Sequence, residues 1–400
     1  MFLYEKLSDD LIRLGVNDRR IARFENMYPI PHGISYNSYL IKGDKNTLFD
    51  TVDTCFMDQF LQNLDAALEG KDLDYLVMSH MEPDHSSAIS LVLQKYPNCK
   101  LVGNKKSFQF LEQFYNVEDK DNYVVVNDGD TLDIGSRTLT FKFAPMVHWP
   151  EVMFTQTDKG ELFTADAFGT FGAIEGHITS DLIDMDEAFF SEARRYYYNI
   201  VGKFGRNTAA ILKKIDLDTV NMILPLHGPV HCQKEKITAF VEKYSLWANY
   251  TPEEKGVMIV FASMYGNTEL AADTLAYYLS QEGVKNIKVY DVSEHQHSYI
   301  ISDAHRFSNL VITPINYNTE LYPQMDAFLR ELVATGYSGR NYSVITNGSW
   351  GGRSEAIADE ILSKSKMTKL GDTVTIKSAA TAENLEELKA LAKTIKESLK

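Results

Sequence analysis

Four hundred residues exceed the usual size of one domain, and an apolar fraction of 44% with a charged fraction of 24% describes an ordinary globular protein of two domains. A formal net charge of −15 excludes non-specific binding to nucleic acid or to an anionic membrane surface. Cys55, Cys99 and Cys232 are widely spaced without a C-x-x-C pair, which excludes a zinc ribbon, a rubredoxin-type iron site and a disulfide framework.

The opening Met1-Phe2-Leu3-Tyr4-Glu5-Lys6 lacks a basic segment followed by an apolar one, and no apolar run nears the roughly 20 residues that span a bilayer. A cytoplasmic protein is expected. From Ile30 to Asp53 short strands and turns follow one another, with Ser35 to Ile41 alternating polar and apolar. Helical spacing runs from Phe56 to Leu68, and Tyr75-Leu76-Val77-Met78 reads as a buried strand. After a loop at 80–85, helices are predicted at 86–94 and 106–114 and strands at 101–102, 123–126, 138–143, 152–155 and 162–164. Helices at 182–203 and 205–215, a strand at 220–224 and a helix at 233–247 complete the region. Strands and helices mixed in this way predict an αββα sandwich over residues 1–250.

The loop after the 75–78 strand carries His80-Met81-Glu82-Pro83-Asp84-His85, four potential metal ligands in a chain of ten histidines. Pro83 bars a regular helix from including them all, because it lacks an N–H and restricts the residue before it. His148, Asp166 and His227 lie where later apolar runs give way to loops, where a rigid sheet can hold a site. Asp50 reads as support for a ligating histidine or as a turn carboxylate, and Trp149 and Glu151 as packing or solvating the loop. His32, His177 and His231 read as structural or surface residues.

The order His80, Glu82, Asp84, His85, His148, Asp166, His227 resembles the ligand order of the metallo-β-lactamase fold family. Hydrolases of that family carry His-x-His-x-Asp-His; Glu82 in place of the second histidine marks a similarity to the flavodiiron proteins. Three carboxylates and four imidazoles make a harder shell that suits iron better than zinc. The resemblance implies His80, Glu82 and His148 on one iron, Asp84, His85 and His227 on the other, and Asp166 between them.

Asn249 to Gly256 is polar, contains Pro and Gly, and reads as a linker. Residues 256–400 then change pattern. Val257 to Ala262 is a continuous apolar run, as in a strand buried on both faces, and strands recur at 287–290, 310–313, 342–346 and 373–376. With helices following 268 and near 323–335, 353–364 and 382–399, this predicts a flavodoxin-like, doubly wound parallel sheet. Ser263-Met264-Tyr265-Gly266-Asn267-Thr268, between strand and helix, suits a phosphate, and it lacks the Lys that a nucleoside triphosphate loop requires. Thr313-Pro314-Ile315-Asn316-Tyr317-Asn318 and Asn347-Gly348-Ser349-Trp350-Gly351-Gly352 each carry an aromatic among small polar residues. The three loops resemble those that hold FMN in flavodoxins, with Tyr317 and Trp350 against the ring.

The two motif sets, with no rubredoxin or flavin-reductase segment after them, resemble the two-domain class of flavodiiron proteins. That resemblance implies reduction of O2 to water, NO to N2O, or both, at a non-haem diiron site recharged by FMN. It implies an electron donor such as rubredoxin, a reductase or a reduced deazaflavin, and a head-to-tail homodimer or a dimer of dimers. The competing reading is a zinc-dependent hydrolase with an accessory flavodoxin-like domain.

Overall fold

In the computed structural model Tyr75–Val77 is an inner parallel strand between Thr47–Phe49 and Lys100–Gly103, which explains its unbroken apolar character. The structure describes residues 4–115, 117 and 120–400; Met1, Phe2 and Leu3, from the opening segment considered above, lie outside them. The chain divides into two units, Met1–Ser245 and Leu246–Lys400. Among the described residues no helix is long and apolar enough to cross a membrane.

In the first unit the described residues form a seven-stranded and a six-stranded sheet. The seven-stranded sheet runs in the order Glu5–Lys6, Leu11–Arg13, Tyr39–Ile41, Thr47–Phe49, Tyr75–Val77, Lys100–Gly103 and Tyr123–Val125. Its partner runs Thr131–Asp133, Thr138–Phe143, Met153–Thr157, Glu161–Phe163, Met222–Leu224 and His231–Cys232. Their inner faces share one core: Tyr39, Phe49, Val77 and Val102 meet Leu139, Phe141, Phe163 and Leu224. Phe49 and Phe163 stack at 3.8 Å between ring centres; truncating either to Ala would cost about 3–5 kcal/mol. This is the αββα sandwich expected from the strand and helix pattern.

The structure departs from the sequence expectation in places with physical causes. Strands before Ile30 are two or three residues long, too short for alternation to register. The 35–41 stretch is two strands, Ile34–Tyr36 and Tyr39–Ile41, and its polar residues Ser35, Asn37 and Ser38 are buried rather than solvated. The helix expected over 182–203 starts at Glu187, where Asp186 caps it by accepting from the Ala188 and Phe189 N–H groups. It passes into a π-turn at Tyr197–Val201 and a 3₁₀ turn at Gly202–Phe204, before a separate helix at Gly205–Lys214.

The second unit is a parallel sheet in the order Ile287–Asp291, Glu254–Phe261, Phe307–Thr313 and Asn341–Asn347. Thr368–Lys369 and Val374–Ile376 both pair with the last of these, completing the flavodoxin order 2-1-3-4-5. Helices Asn267–Gln281 and Ala382–Ser398 bury Leu275, Leu279, Leu388 and Leu391 against Val257, Ile259, Val311 and Ile345. The first strand begins at Glu254, inside the segment read as a linker, because Glu254 pairs with Phe307 and accepts from Arg306 at 2.8 Å. The helix His297–Arg306 falls outside the predicted elements; its Ser, His and Asp residues mask a short apolar face, and Gln296 caps it.

Candidate functional site

Four strand ends in the first unit deliver seven ligand-type side chains to one place. His80 follows Tyr75–Val77, His148 follows Thr138–Phe143, Asp166 follows Glu161–Phe163 and His227 follows Met222–Leu224. Asp84 and His85, expected in a loop, lie instead on a single helical turn, Pro83–Ser86. Pro83 takes its first position, where a missing N–H is harmless, and Glu82 stands just before it in extended backbone.

Two clusters result. His80 Nε2, Glu82 Oε2, His148 Nε2 and Asp166 Oδ2 converge: His148 lies 2.9 Å from Asp166 and 3.0 Å from Glu82, and the two imidazole nitrogens are 3.3 Å apart. His85, His227 and Asp84 form the second, with the two Nε2 atoms 3.0 Å apart and Asp84 Oδ2 3.3 Å from His85. Asp166 belongs to both, since its other oxygen, Oδ1, lies 3.3 Å from His85 and 3.7 Å from His227. One carboxylate therefore spans two clusters, one oxygen facing each.

Supporting contacts fix how these groups point. Glu151 Oε1 accepts from His80 Nδ1 at 2.7 Å and from the Met81 N–H at 2.9 Å, leaving His80 Nε2 free to face the cluster. Asn104 holds the Glu151 carbonyl while capping the helix Lys105–Phe114. Ser35 O accepts from His227 Nδ1 at 2.8 Å, Ser35 Oγ from the Gly228 N–H, and Asn37 donates to the Pro225 and Gly228 carbonyls. Those bonds explain why Ser35 and Asn37 are buried. Asp50 accepts from the Ser79 and His80 N–H groups, and burial pushes its carboxyl up to about 6.

The sequence reading assigned Glu151 to loop packing and had no reading for Tyr196 or Glu25. Tyr196 is fully buried beside His227, 5.5 Å between rings, and its hydroxyl has no hydrogen-bond partner among the described residues. Glu25, on the turn between Arg23–Phe24 and Tyr28–Pro29, lies beside Glu82, and burial and that carboxylate push its own carboxyl up to about 7; Phe24 meets His227 edge-on at 5.3 Å. The acid in His148-Trp149-Pro150-Glu151, three residues beyond a ligand-type histidine, was the one signal available for Glu151.

The electrostatics test whether metal ions fit. Asp166 is fully buried, which opposes its charge, yet His80, His85 and His148 hold it well below the usual carboxylate range. Burial and the neighbouring His85 lower His227 to about 4, so it is neutral with a lone pair at Nε2. Both oxygens of Asp84 and Oδ1 of Asp166 are buried without a hydrogen-bond partner, an arrangement that costs several kcal/mol in a protein interior unless a cation answers it. Two nitrogens bound at about 2.1 Å and at right angles lie about 3 Å apart, the spacing of the paired imidazoles. The donor set fits a pair of metal ions.

In the second unit a cavity of about 760 Å³ opens at the carboxyl ends of the strands. Of the residues expected to bind FMN, Ser263, Met264, Tyr265, Asn267, Thr268, Ile315, Asn316 and Asn318 line it, as does the whole segment Asn347–Gly352. Gly266, Thr313, Pro314 and Tyr317 do not: Gly266 turns the chain into the helix at φ +86°, Thr313 is buried in the sheet, and Tyr317 sits on a small hairpin. Thr319, Arg353 and Ser378 line it without having been expected. Ser378 comes from a fourth loop, clamped by Asn347, which donates to its carbonyl and accepts from its N–H.

A family model described as "ODP family beta lactamase" matches residues 34–228, and one described as "Flavodoxin" matches 259–390. An anaerobic nitric oxide reductase flavorubredoxin of Vibrio vulnificus is 31% identical over 345 residues, 85% of this chain and 69% of that one. An uncharacterized protein of Methanocaldococcus jannaschii is 32% identical over 81% of this chain and 80% of its own length. The rubredoxin oxygen:oxidoreductase from Desulfovibrio gigas superposes with a TM-score of 0.93 at 27% identity, covering 99% of this chain and 98% of that one. The flavodiiron protein from Giardia intestinalis, at 24% identity and a TM-score of 0.91 over 100% of this chain and 99% of that one, shares the fold.

Proposed function

The chain belongs to the flavodiiron protein family, with FMN and a diiron centre as its cofactors, and on that premise we propose that it reduces O2 to water, NO to N2O, or both. The observation that carries this reading is Asp166, whose two oxygens face two ligand clusters, one of which contains Glu82. His80, Glu82 and His148 would hold one iron and Asp84, His85 and His227 the other, with Asp166 offering one oxygen to each. When bound, the irons supply the diatomic-binding and electron-donating chemistry, and the flavin replenishes their electrons.

The protein's own part is geometric and electrostatic. Glu151 and the Ser35 carbonyl each accept a hydrogen bond from Nδ1 of a ligand-type histidine, so that Nε2 is turned inward to the cluster. Phe24 and Tyr36 cover His227, and Trp149 covers His80, which keeps bulk water from the ligands. In the second unit, the 263–268 loop takes the FMN phosphate through N–H and hydroxyl donors at a helix start, and Trp350 and Asn316 border the ring.

Donor and assembly are part of the same reading. A small redox protein of the rubredoxin kind, a reductase or a reduced deazaflavin feeds the flavin, in a cytoplasmic setting. A head-to-tail homodimer brings the flavin of one copy to the irons of the other; full activity from a monomeric preparation would remove that element. The activity is tested by anaerobic turnover of the iron- and FMN-loaded protein with a chemically reduced donor, adding O2 or NO in turn. Consumption of either gas, with water or N2O as product, is expected. Two bound zinc ions with ester or lactam hydrolysis, and no gas consumed, would refute it.

A further inference from the structure

Among the described residues that line the cavity of the second unit, Arg353 is the one charged side chain. The rest of the lining is hydroxyl, amide and glycine, with Met264, Ile315, Tyr265 and Trp350. Arg353 belongs to the ring-bracketing loops rather than to the 263–268 loop. Its backbone N–H donates to Asn316 Oδ1 at 2.9 Å, and the Ser354 N–H donates to the same oxygen at 3.0 Å. Gly352 is required beside it, because any Cβ there would collide with the Asn316 amide. The 347–352 loop and the 313–318 loop are thus clipped together at Arg353.

The guanidinium itself forms no ion pair or hydrogen bond among the described residues. The nearest acid in sequence, Glu355, is engaged by Lys369 and Thr373. Arg353 also stands at the start of the nine-residue helix Ser354–Leu362, so the backbone adds positive potential at the same end of the cavity. In a chain of net charge −15, an uncommitted cation at the rim of an otherwise neutral cavity is a specific arrangement.

We infer that Arg353 is a positioning residue that sets the reduction potential of the bound flavin. This rests on the assignment of FMN to this cavity. The oxidised isoalloxazine is neutral, whereas the two-electron-reduced ring carries negative charge across N1 and the C2 carbonyl at neutral pH. A cation at the ring end therefore favours the reduced form and raises the potential, charge near N1 being a principal means by which a protein tunes a flavin. Because Arg353 is exposed, salt screens the effect.

The test is a spectroelectrochemical titration of flavin absorbance in the full-length, FMN-loaded protein, comparing the parent with Arg353→Gln and Arg353→Lys. We expect Arg353→Gln to bind FMN at full stoichiometry with a lower two-electron midpoint. The expected size is a roughly tenfold loss of affinity for reduced relative to oxidised flavin, or about 30 mV. The shift should shrink in high salt, and Arg353→Lys should keep most of the parent potential. An unchanged midpoint in Arg353→Gln overturns the inference. So does weakened FMN binding with riboflavin binding unaltered, since Arg353 would then be a phosphate ligand. A parent protein that binds no FMN would instead overturn the assignment of the cavity.

Discussion

The ligand clusters of the first unit and the cavity proposed for flavin in the second both lie where strands end, but their residues are placed differently. Around the metals His85, Asp166 and His227 are fully buried and His80 nearly so, and each is fixed by a bonded neighbour or by packed rings. Around the cavity Tyr265 and Trp350 are 89% and 88% exposed, and the lining is neutral apart from Arg353. The difference matches what the two proposed cofactors need. A metal is held by single atoms at a narrow range of distances, so its ligands must be packed before it arrives. FMN carries its own apolar surface and a charged phosphate, so hydroxyl-rich loops with an open rim suffice.

The sharpest way to separate the regions is Glu82→Ala. It removes a ligand-type carboxylate without touching the second unit, and gas reduction should be abolished while FMN stoichiometry stays at the parent value. Retained turnover in that variant would contradict the role given to Glu82. Iron content and flavin absorbance, measured on one sample, decide it.

Next in size is the response to pH. Burial opposes charge on His148, but the Asp166 and Glu82 carboxylates outweigh it and push its pKa up to about 9. Burial pushes Asp84 up to about 8. Both must lose a proton to bind metal, so below about pH 8 each unit of acidification costs up to tenfold in affinity per proton displaced. His80 and His85 are raised in the same way by the surrounding carboxylates, so iron affinity should climb as pH rises from about 6, by as much as tenfold per unit for each proton displaced. Chelator competition reads the iron side. FMN occupancy, resting on hydroxyl, amide and backbone donors and an arginine that do not titrate here, should change far less across the same range; a parallel slope would break the contrast.

The smallest effects come from removing one supporting residue on each side. Glu151→Gln loses the carboxylate behind His80 and should weaken iron binding by about 10–100-fold with FMN unaffected. Asn316→Ala loses two backbone donors' partner between the ring loops and should weaken FMN by about tenfold, with iron unaffected. Calorimetric FMN titration beside iron analysis would expose any cross-talk between the two.

How much of this was legible depended on sequence distance. His80 to His85 stand within six residues after an apolar strand, and the strand-and-helix rhythm of the second unit is regular enough to read its doubly wound order. Glu151 was passed over because its carboxylate acts on His80, 71 positions away, and its place three residues after His148 was the only local sign of a role. Ser35 and Asn37 are polar positions of an alternating stretch, and they are buried because the His227 loop, nearly 200 positions later, takes their hydrogen bonds. Ser378 joined the cavity through Asn347 for the same reason.

By itself, then, the sequence determined the two-domain order, the ligand chemistry and, through Glu82, the leaning toward iron. These depend on residue type and local spacing, which a linear chain displays. Only the tertiary structure decided that Asp166 turns one oxygen to each cluster, that Glu151 orients His80, and that Arg353 lines the cavity of the second unit. Those facts are directions of side chains across distant segments, set by the packing of two sheets in one unit and by the clipping of loops in the other.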